Sequence, residues 1–297
     1  MKIQHFRKSG LVDWELNRSL QPFGEIIALS REEADFSDHE SLRDVVRNIK
    51  PDVIVNTAAY TAVDKAEEEE ELATLINGAA PGVLAEEAKK QNALLVHYST
   101  DYVFDGNKKE PYVESDKPNP INAYGRSKLA GEDSIQNTTC DYLILRTSWV
   151  YSTRGDNFLK KILQLAKERG KLNIVDDQAG APTWARSIAD ITSKILLVDT
   201  NKKNGAEYRS GIYHLASSSC TTWYEFANKI VSTGLSTGCN SEIVVKEIAP
   251  ISSEEFTTAA KRPRNSCLST EKIKKEYGVT MPSWQDSLQL CMDSICR

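Results

Sequence analysis

Residues 94–102 read Leu94-Leu-Val-His-Tyr-Ser99-Thr100-Asp101-Tyr102. A brief apolar run ends in hydroxyl and acidic residues, which is how a strand buried on both faces reads when it delivers polar groups at its carboxyl end. Glu25–Leu29 (EIIAL), Val53–Asn56 (VIVN) and Leu143–Thr147 (LILRT) have the same short, branched character. Helical patterns separate these runs. Ser37-Asp-His-Glu40 fits a capping box for a helix running to about Asn48, with Pro51 beyond its end. Pro81–Gln91 reads as another helix, with Pro81 tolerated in its first turn. Strands alternating with helices imply parallel pairing through right-handed crossovers, hence an α/β doubly wound parallel sheet. Ligands of such sheets bind beyond the carboxyl ends of the strands, which singles out Thr100–Tyr102.

The pattern changes after about residue 150. Strand candidates thin out to Asn173–Val175, Gly211–Leu215 and Glu242–Lys246. Helices are expected over Asn157–Glu168 and Arg186–Leu197, after a Thr222-Trp-Tyr-Glu225 capping box, and over Trp284–Cys296. The expected organisation is one sheet domain over 1–150 and a smaller C-terminal α/β substrate lobe over 151–297, with room for the chain to cross back. The acidic run Glu67–Glu71 reads as a solvated helix face.

Composition removes several classes. The chain has 297 residues, 40% hydrophobic and 27% charged, enough for a large core plus a lobe. Thirty-seven basic against 42 acidic residues leave a net charge of −5, which argues against nucleic acid or an anionic membrane as partner. No apolar run reaches the roughly 20 residues of a membrane span, and the start lacks the apolar segment of a secretory signal. The six cysteines form no Cys-x-x-Cys pair, so reduced thiols in the cytoplasm are expected. The four histidines lie too far apart in sequence for a local metal cluster.

Chemistry enters with Tyr124-Gly-Arg-Ser-Lys128, the only Tyr-x-x-x-Lys in the chain. Residues four apart share a helix face, so phenol and ammonium can enter one site. A free tyrosine, with a pKa near 10, exchanges protons poorly at neutral pH. A neighbouring ammonium favours the phenolate and can also bond a ribose. Thr100 can add a hydroxyl to the reacting oxygen.

Six stretches carry a wider resemblance: residues 56–66 (NTAAYTAVDKA), 98–106 (YSTDYVFDG), 124–132 (YGRSKLAGE), 146–151 (RTSWVY), 177–183 (DQAGAPT) and 262–266 (RPRNS). Together they resemble the dTDP-4-dehydrorhamnose reductases, a branch of the extended short-chain dehydrogenase/reductase superfamily, over nearly the whole chain. The resemblance implies a Rossmann-like domain binding NADPH or NADH and a lobe binding a dTDP-sugar. It implies a cytoplasmic oxidoreductase of dTDP-rhamnose and polysaccharide biosynthesis that reduces dTDP-4-dehydro-6-deoxy-L-mannose to dTDP-L-rhamnose. Carried over, Tyr124 is the proton donor, Lys128 its partner and ribose ligand, and Thr100 the third catalytic residue. Asp101 and Trp149 line the substrate pocket and Arg262 approaches the dTDP moiety. Gly10, Leu11 and Val12 meet the pyrophosphate, Asp35 and Phe36 the adenine, and Ala58, Ala59 and Thr61 the rest of the cofactor. A homodimer is compatible with the family.

Arg31 follows the second strand, where a carboxylate would bond the 2′-hydroxyl of NADH and an arginine suits the 2′-phosphate of NADPH. NADPH is therefore expected. The glycine loop departs from the family's pattern: Arg7 and Asp13 stand at its first and third glycines, and only Gly10 remains. An arginine at positive φ is strained, and an acid at a helix start repels a pyrophosphate. On that expectation NADPH binds weakly, and restoring both glycines tightens it at least tenfold, about 1.4 kcal/mol. The alternative function is then a non-catalytic, regulatory sugar-nucleotide-binding relative. A magnesium requirement is also doubtful, because Arg186 stands where metal-binding members place an acid opposite Glu15.

Overall fold

In chain order the first half runs β1 (Lys2–Phe6), α1 (Leu11–Leu20), β2 (Glu25–Leu29), α2 (His39–Ile49), β3 (Val53–Asn56), α3 (Ala80–Gln91), β4 (Leu94–Thr100), α4 (Ala123–Thr138) and β5 (Tyr142–Thr147). The second half runs α5 (Phe158–Glu168), β6 (Lys171–Val175), α6 (Ala185–Thr200), β7 (Gly211–His214), α7 (Trp223–Ser236), β8 (Glu247–Ile251), α8 (Glu271–Tyr277) and α9 (Trp284–Ile295). These elements come from a computed structural model, which describes residues 1–8, 10–200, 210–236 and 242–295.

Six strands form one parallel sheet in the order β7-β5-β4-β3-β1-β2. The expected fold class is present, and the strand order reverses between β1 and β3, which is where such a sheet opens a crevice. Why the strands read as unbroken apolar runs is plain from their packing. On β3, Val53 and Val55 face a core shared with Ile188 and Ile195 of α6, while Ile54 faces a second core with Leu42, Val46 and Leu84. Both faces are covered, so there is no polar side.

Local signals place the helices. Asp38 rather than Ser37 caps α2, its carboxylate accepting the Ser41 amide at 3.1 Å. Asn122 caps α4 through the Gly125 amide at 2.7 Å. The acidic run is not merely solvated. Glu67 accepts the Ala123 amide at 2.7 Å and Glu70 pairs with Arg126 at 2.7 Å, so two of its acids serve the first turn of α4, where negative charge is favoured.

After residue 150 one strand lies in the main sheet. Of the candidate Gly211–Leu215, expected among the C-terminal strands, Gly211–His214 is β7 at the edge of the main sheet, paired with β5. The lobe keeps β6 and β8, which pair in parallel, with α5, α7 and α9 around a core of Tyr151, Ile162, Trp184, Phe226, Trp284 and Leu288. The strand expected over Glu242–Lys246 begins at Glu247 instead, because the Val244 and Val245 amides bond the Ala166 carbonyl at the end of α5. Cys220 and Cys267, expected as free thiols, are joined in a disulfide with Cα atoms 6.0 Å apart. Proximity of two loops 47 residues apart in sequence decides that pair, and spacing carries no sign of it. Cys140 and Cys291 are buried and free, and Cys239 and Cys296 lie outside the described residues. Among the described residues no helix is long and apolar enough to cross a membrane.

One buried node joins three elements. Arg146 on β5 meets Glu132 on α4 through Nε–Oε1 at 2.9 Å and Nη2–Oε2 at 2.6 Å, and Ser99 on β4 donates to the same Glu132 at 2.5 Å. All three side chains are buried. Removing one partner of such a pair leaves an uncompensated charge, at a cost of about 3–5 kcal/mol. Glu132→Ala should therefore lower unfolding free energy in urea by roughly that amount; a loss below about 1 kcal/mol, the range of exposed pairs, would show that the node is not what holds α4.

Candidate active site

β4 ends where its sequence promised. Thr100 is buried at the strand's last position, its hydroxyl donating to Asp101 at 3.0 Å and accepting the Tyr102 amide at 3.2 Å. Asp101 also accepts from Ser148 at 3.1 Å. Burial pushes the Asp101 carboxyl up to about 6, against the hydrogen bonds from Ser266, Thr100 and Ser148. Tyr124 reaches this point from the first turn of α4, packing edge-on against Tyr102 with ring centroids 5.8 Å apart. Gly125 permits the approach: a Cβ there would collide with the Tyr102 carbonyl.

The electrostatics differ from the sequence reading. Burial pushes the Tyr124 phenol up to about 12; the Thr100 hydroxyl opposes this, Asp101 adds to it, and the opposing cation is Arg7. Lys128 is turned to the strand instead. The residue is 2% exposed, and its Nζ donates to the Tyr98 carbonyl at 2.6 Å and lies 3.1 Å from His97 Nε2. Burial brings Lys128 down to about 8, with Glu132 opposing. Thr100, Asp101 and Tyr124 are thus brought together, and Lys128 lies one helical turn on, engaged with β4.

The positions expected to meet a cofactor lie just past the ends of β1, β2 and β3. α1 opens on Gly10, which brings no side chain to cap it, so first-turn amides of Leu11 and Val12 are available to an anion. Ala58 and Ala59 are half-buried just past β3 and Thr61 is exposed. Arg31 is exposed just past β2. Asp35 and Phe36 are committed locally: Asp35 accepts the Ser37 amide and hydroxyl at 2.9 and 2.7 Å, and Phe36 packs edge-on against Phe6 in the core.

Arg7 adopts the left-handed backbone expected of a glycine, with φ 74°. The turn is kept, and it is strained. Asp13 has an internal partner that its place in the sequence does not announce. Its carboxylate, 2% exposed, lies under the loop with Oδ1 2.7 Å from His5 Nε2 and bonded to the Thr57 hydroxyl. It also fills the space beside Gly10, where a Cβ would collide with Asp13 Oδ2. The polar first strand and the acidic third loop position are therefore one feature: β1 supplies the partner that the carboxylate needs in a buried place. Oδ1 is thus turned inward to His5 and Thr57 while Oδ2 lies against Gly10, and the first turn of α1 carries no side-chain cap.

Magnesium does not fit. Glu15 is buried and already holds Arg18 Nε and Arg186 Nε, each at 3.1 Å, so two guanidiniums neutralise the carboxylate.

On the lobe side a cavity of about 1210 Å³ is lined by Phe158, Lys161, Trp223, Lys261, Arg262 and Arg264, among others. Trp149 stands behind it, at φ 45°, laid over Gly180 and stacked on Trp223 at 3.5 Å with rings 5° apart. Trp223, which lines the cavity, was not singled out from sequence. Arg262 pairs with Asp64 at 2.7 Å, bridging lobe and sheet domain. Asn56 and His97, buried at the ends of β3 and within β4, were missed too, because inside apolar strands they carry no spacing signal.

The Asp13 arrangement is testable. Asp13→Ala removes the carboxylate from the buried His5 Nε2 and should cost about 1–3 kcal/mol of stability in chemical denaturation; no loss would show that the carboxylate is dispensable to the loop.

Comparison with known proteins follows the same lines. The family described as the RmlD substrate binding domain matches residues 1–296. A dTDP-4-dehydrorhamnose reductase of Burkholderia thailandensis is 46% identical, covering 98% of each chain. That of Escherichia coli K12 is 42% identical over 99% of this chain and 98% of its own. The crystal structure of a Bacillus anthracis dTDP-4-dehydrorhamnose reductase in complex with NADP superposes with TM-score 0.90 at 33% identity, covering 99% of both chains.

Proposed function

The chain belongs to the dTDP-4-dehydrorhamnose reductase family, and from that premise we propose that it reduces dTDP-4-dehydro-6-deoxy-L-mannose to dTDP-L-rhamnose with NADPH, in the cytoplasm. The observation that carries the reading is the meeting of Thr100, Asp101 and Tyr124 at the carboxyl end of β4, with the basic lobe cavity reaching toward it through Arg262, which bonds Tyr102. Full-length likeness to named reductases supports this reading over the non-catalytic one.

When bound, NADPH supplies the hydride that goes to C4 of the sugar. Tyr124 gives its proton to the C4 oxygen as charge develops there, and the Thr100 hydroxyl steadies the phenolate left behind. Lys128, fixed by the Tyr98 carbonyl, stands one turn away to take the ribose. Gly10, Leu11 and Val12 take the pyrophosphate and Arg31 the 2′-phosphate, while Ala58, Ala59 and Thr61 leave room for the rest of the cofactor. Asp35 and Phe36 lie against the adenine, in a loop fixed by the Asp35–Ser37 bonds and by Phe36 against Phe6. Asp101 orients the sugar, Trp149 backs the wall through Trp223, and Arg262 with Arg264 meets the diphosphate of the dTDP moiety. The sheet domain over 1–150, with β7 returning to it, carries the cofactor and the lobe carries the sugar nucleotide.

NADPH oxidation in the presence of the 4-dehydro sugar nucleotide, with dTDP-L-rhamnose as product, tests the reaction. Tyr124→Phe should lower kcat by about 10²–10⁴-fold with little change in substrate binding, because only the acid is lost; near-normal turnover would remove Tyr124 from the role. Arg31→Asp exchanges an attraction for a repulsion and should move preference from NADPH to NADH. Equal affinity of the unaltered protein for the two cofactors would refute the Arg31 assignment.

A further inference from the structure

A chain of hydrogen bonds runs from the end of β3 to Lys128. The Ala58 amide donates to Asn56 Oδ1 at 3.0 Å, which leaves the Asn56 Nδ2 group facing His97 Nδ1, also at 3.0 Å. His97 Nε2 then faces Lys128 Nζ at 3.1 Å. Asn56, His97 and Lys128 are all buried, so water cannot rearrange the exchange.

Counting protons along this chain gives one solution. A backbone amide only donates, so Asn56 must turn its oxygen to Ala58 and its amide protons to His97. His97 Nδ1 must accept, and a neutral imidazole then carries its single proton on Nε2. Burial, the larger cause, holds His97 far below its ordinary value, so it remains neutral. That Nε2–H points at Lys128. An ammonium has three donors and no lone pair, so it confronts the Nε2–H donor to donor. A free amine instead accepts from Nε2–H and still donates to the Tyr98 carbonyl.

We infer that Asn56 and His97 are positioning residues for Lys128: by presenting an N–H rather than a lone pair to Nζ, they favour its free amine over its ammonium. The groups facing Lys128 are His97 and the Tyr98 carbonyl from β4 and Glu132 one turn after it, while Tyr124 stands one turn before it on the same helix without contact to Nζ. Glu132 is the one that favours the ammonium, and it is spent on Arg146 and Ser99. A Lys128 that titrates near neutrality can exchange protons with its surroundings, whereas a permanent cation can only bind. In the resting protein the cation acting on Tyr124 is accordingly Arg7. The inference rests on the reductase reading for its use in turnover, but not for the proton count.

Asn56→Asp tests it with nearly the same shape. The introduced carboxylate keeps an acceptor for the Ala58 amide and offers a second to His97, which moves the imidazole proton to Nδ1 and gives Lys128 a lone pair. In the unliganded protein, with lysine isotopically labelled at Cε and the Lys128 resonance assigned through its loss in Lys128→Met, the NMR titration of Lys128 should move up by at least one pH unit, a tenfold change in proton affinity. The corresponding limb of the kcat/KM profile should move the same way. No upward shift would overturn the inference. The added negative charge is controlled by making the same change on a His97→Leu background. An undiminished rise there would mean that charge alone acts through space, and would also overturn it. Because the titration needs neither cofactor nor turnover, it separates this inference from failure of the reductase reading, which would show as absent NADPH oxidation with the titration shift intact.

Discussion

The buried Arg146–Glu132–Ser99 node is the constraint on which the site depends. A helix lying over a parallel sheet can rotate and slide with modest loss of apolar contact, because Leu, Val and Ala offer many nearly equivalent packings. A bidentate guanidinium–carboxylate pair, with a third bond from Ser99, admits one arrangement. It ties α4 to β4 and β5 together, one turn beyond Lys128 and two beyond Tyr124. The acids Glu67 and Glu70 hold the other end of the helix. Tyr124 therefore meets Thr100 because both ends of α4 are pinned by charge, and the apolar core fills what remains. Such a node contributes specificity of placement more than net stability.

The glycine loop shows how a departure from a pattern can be self-consistent. Asp13 looks adverse beside a phosphate site, and His5 looks misplaced in a central strand. Each is costly when buried alone and acceptable when paired at 2.7 Å. Compensation is not complete on this strand, since both polar atoms of the Gln4 side chain lack a partner. Arg7 retains the left-handed turn that a glycine makes without strain. The same substitution places a cation near the phenol, opposite in effect to the burial that raises it.

Charge in this site is set by burial first and by pairs second. Tyr124, Asp101 and Lys128 are each displaced toward their neutral forms, as desolvation requires. A site that is poised this way before ligands arrive gains charged partners only when the cofactor and sugar nucleotide bring them.

Periodicity and end signals in the chain determined the alternation of strands and helices, hence the parallel sheet, its crevice and the delivery of Thr100 at a strand end. They also determined that Tyr124 and Lys128 share a helix, because four-residue spacing acts within one element. Tertiary structure decided whatever depended on which elements meet. It brought Gly211–His214 back to the main sheet, set Cys220 against Cys267, turned Asp13 toward His5, and gave Lys128 to His97 rather than to Tyr124. Those outcomes rest on contacts between elements, where the partner of a buried polar group is chosen by geometry and desolvation. Local sequence constrains φ, ψ and the direction of a face; it carries no record of what the fold will lay against that face.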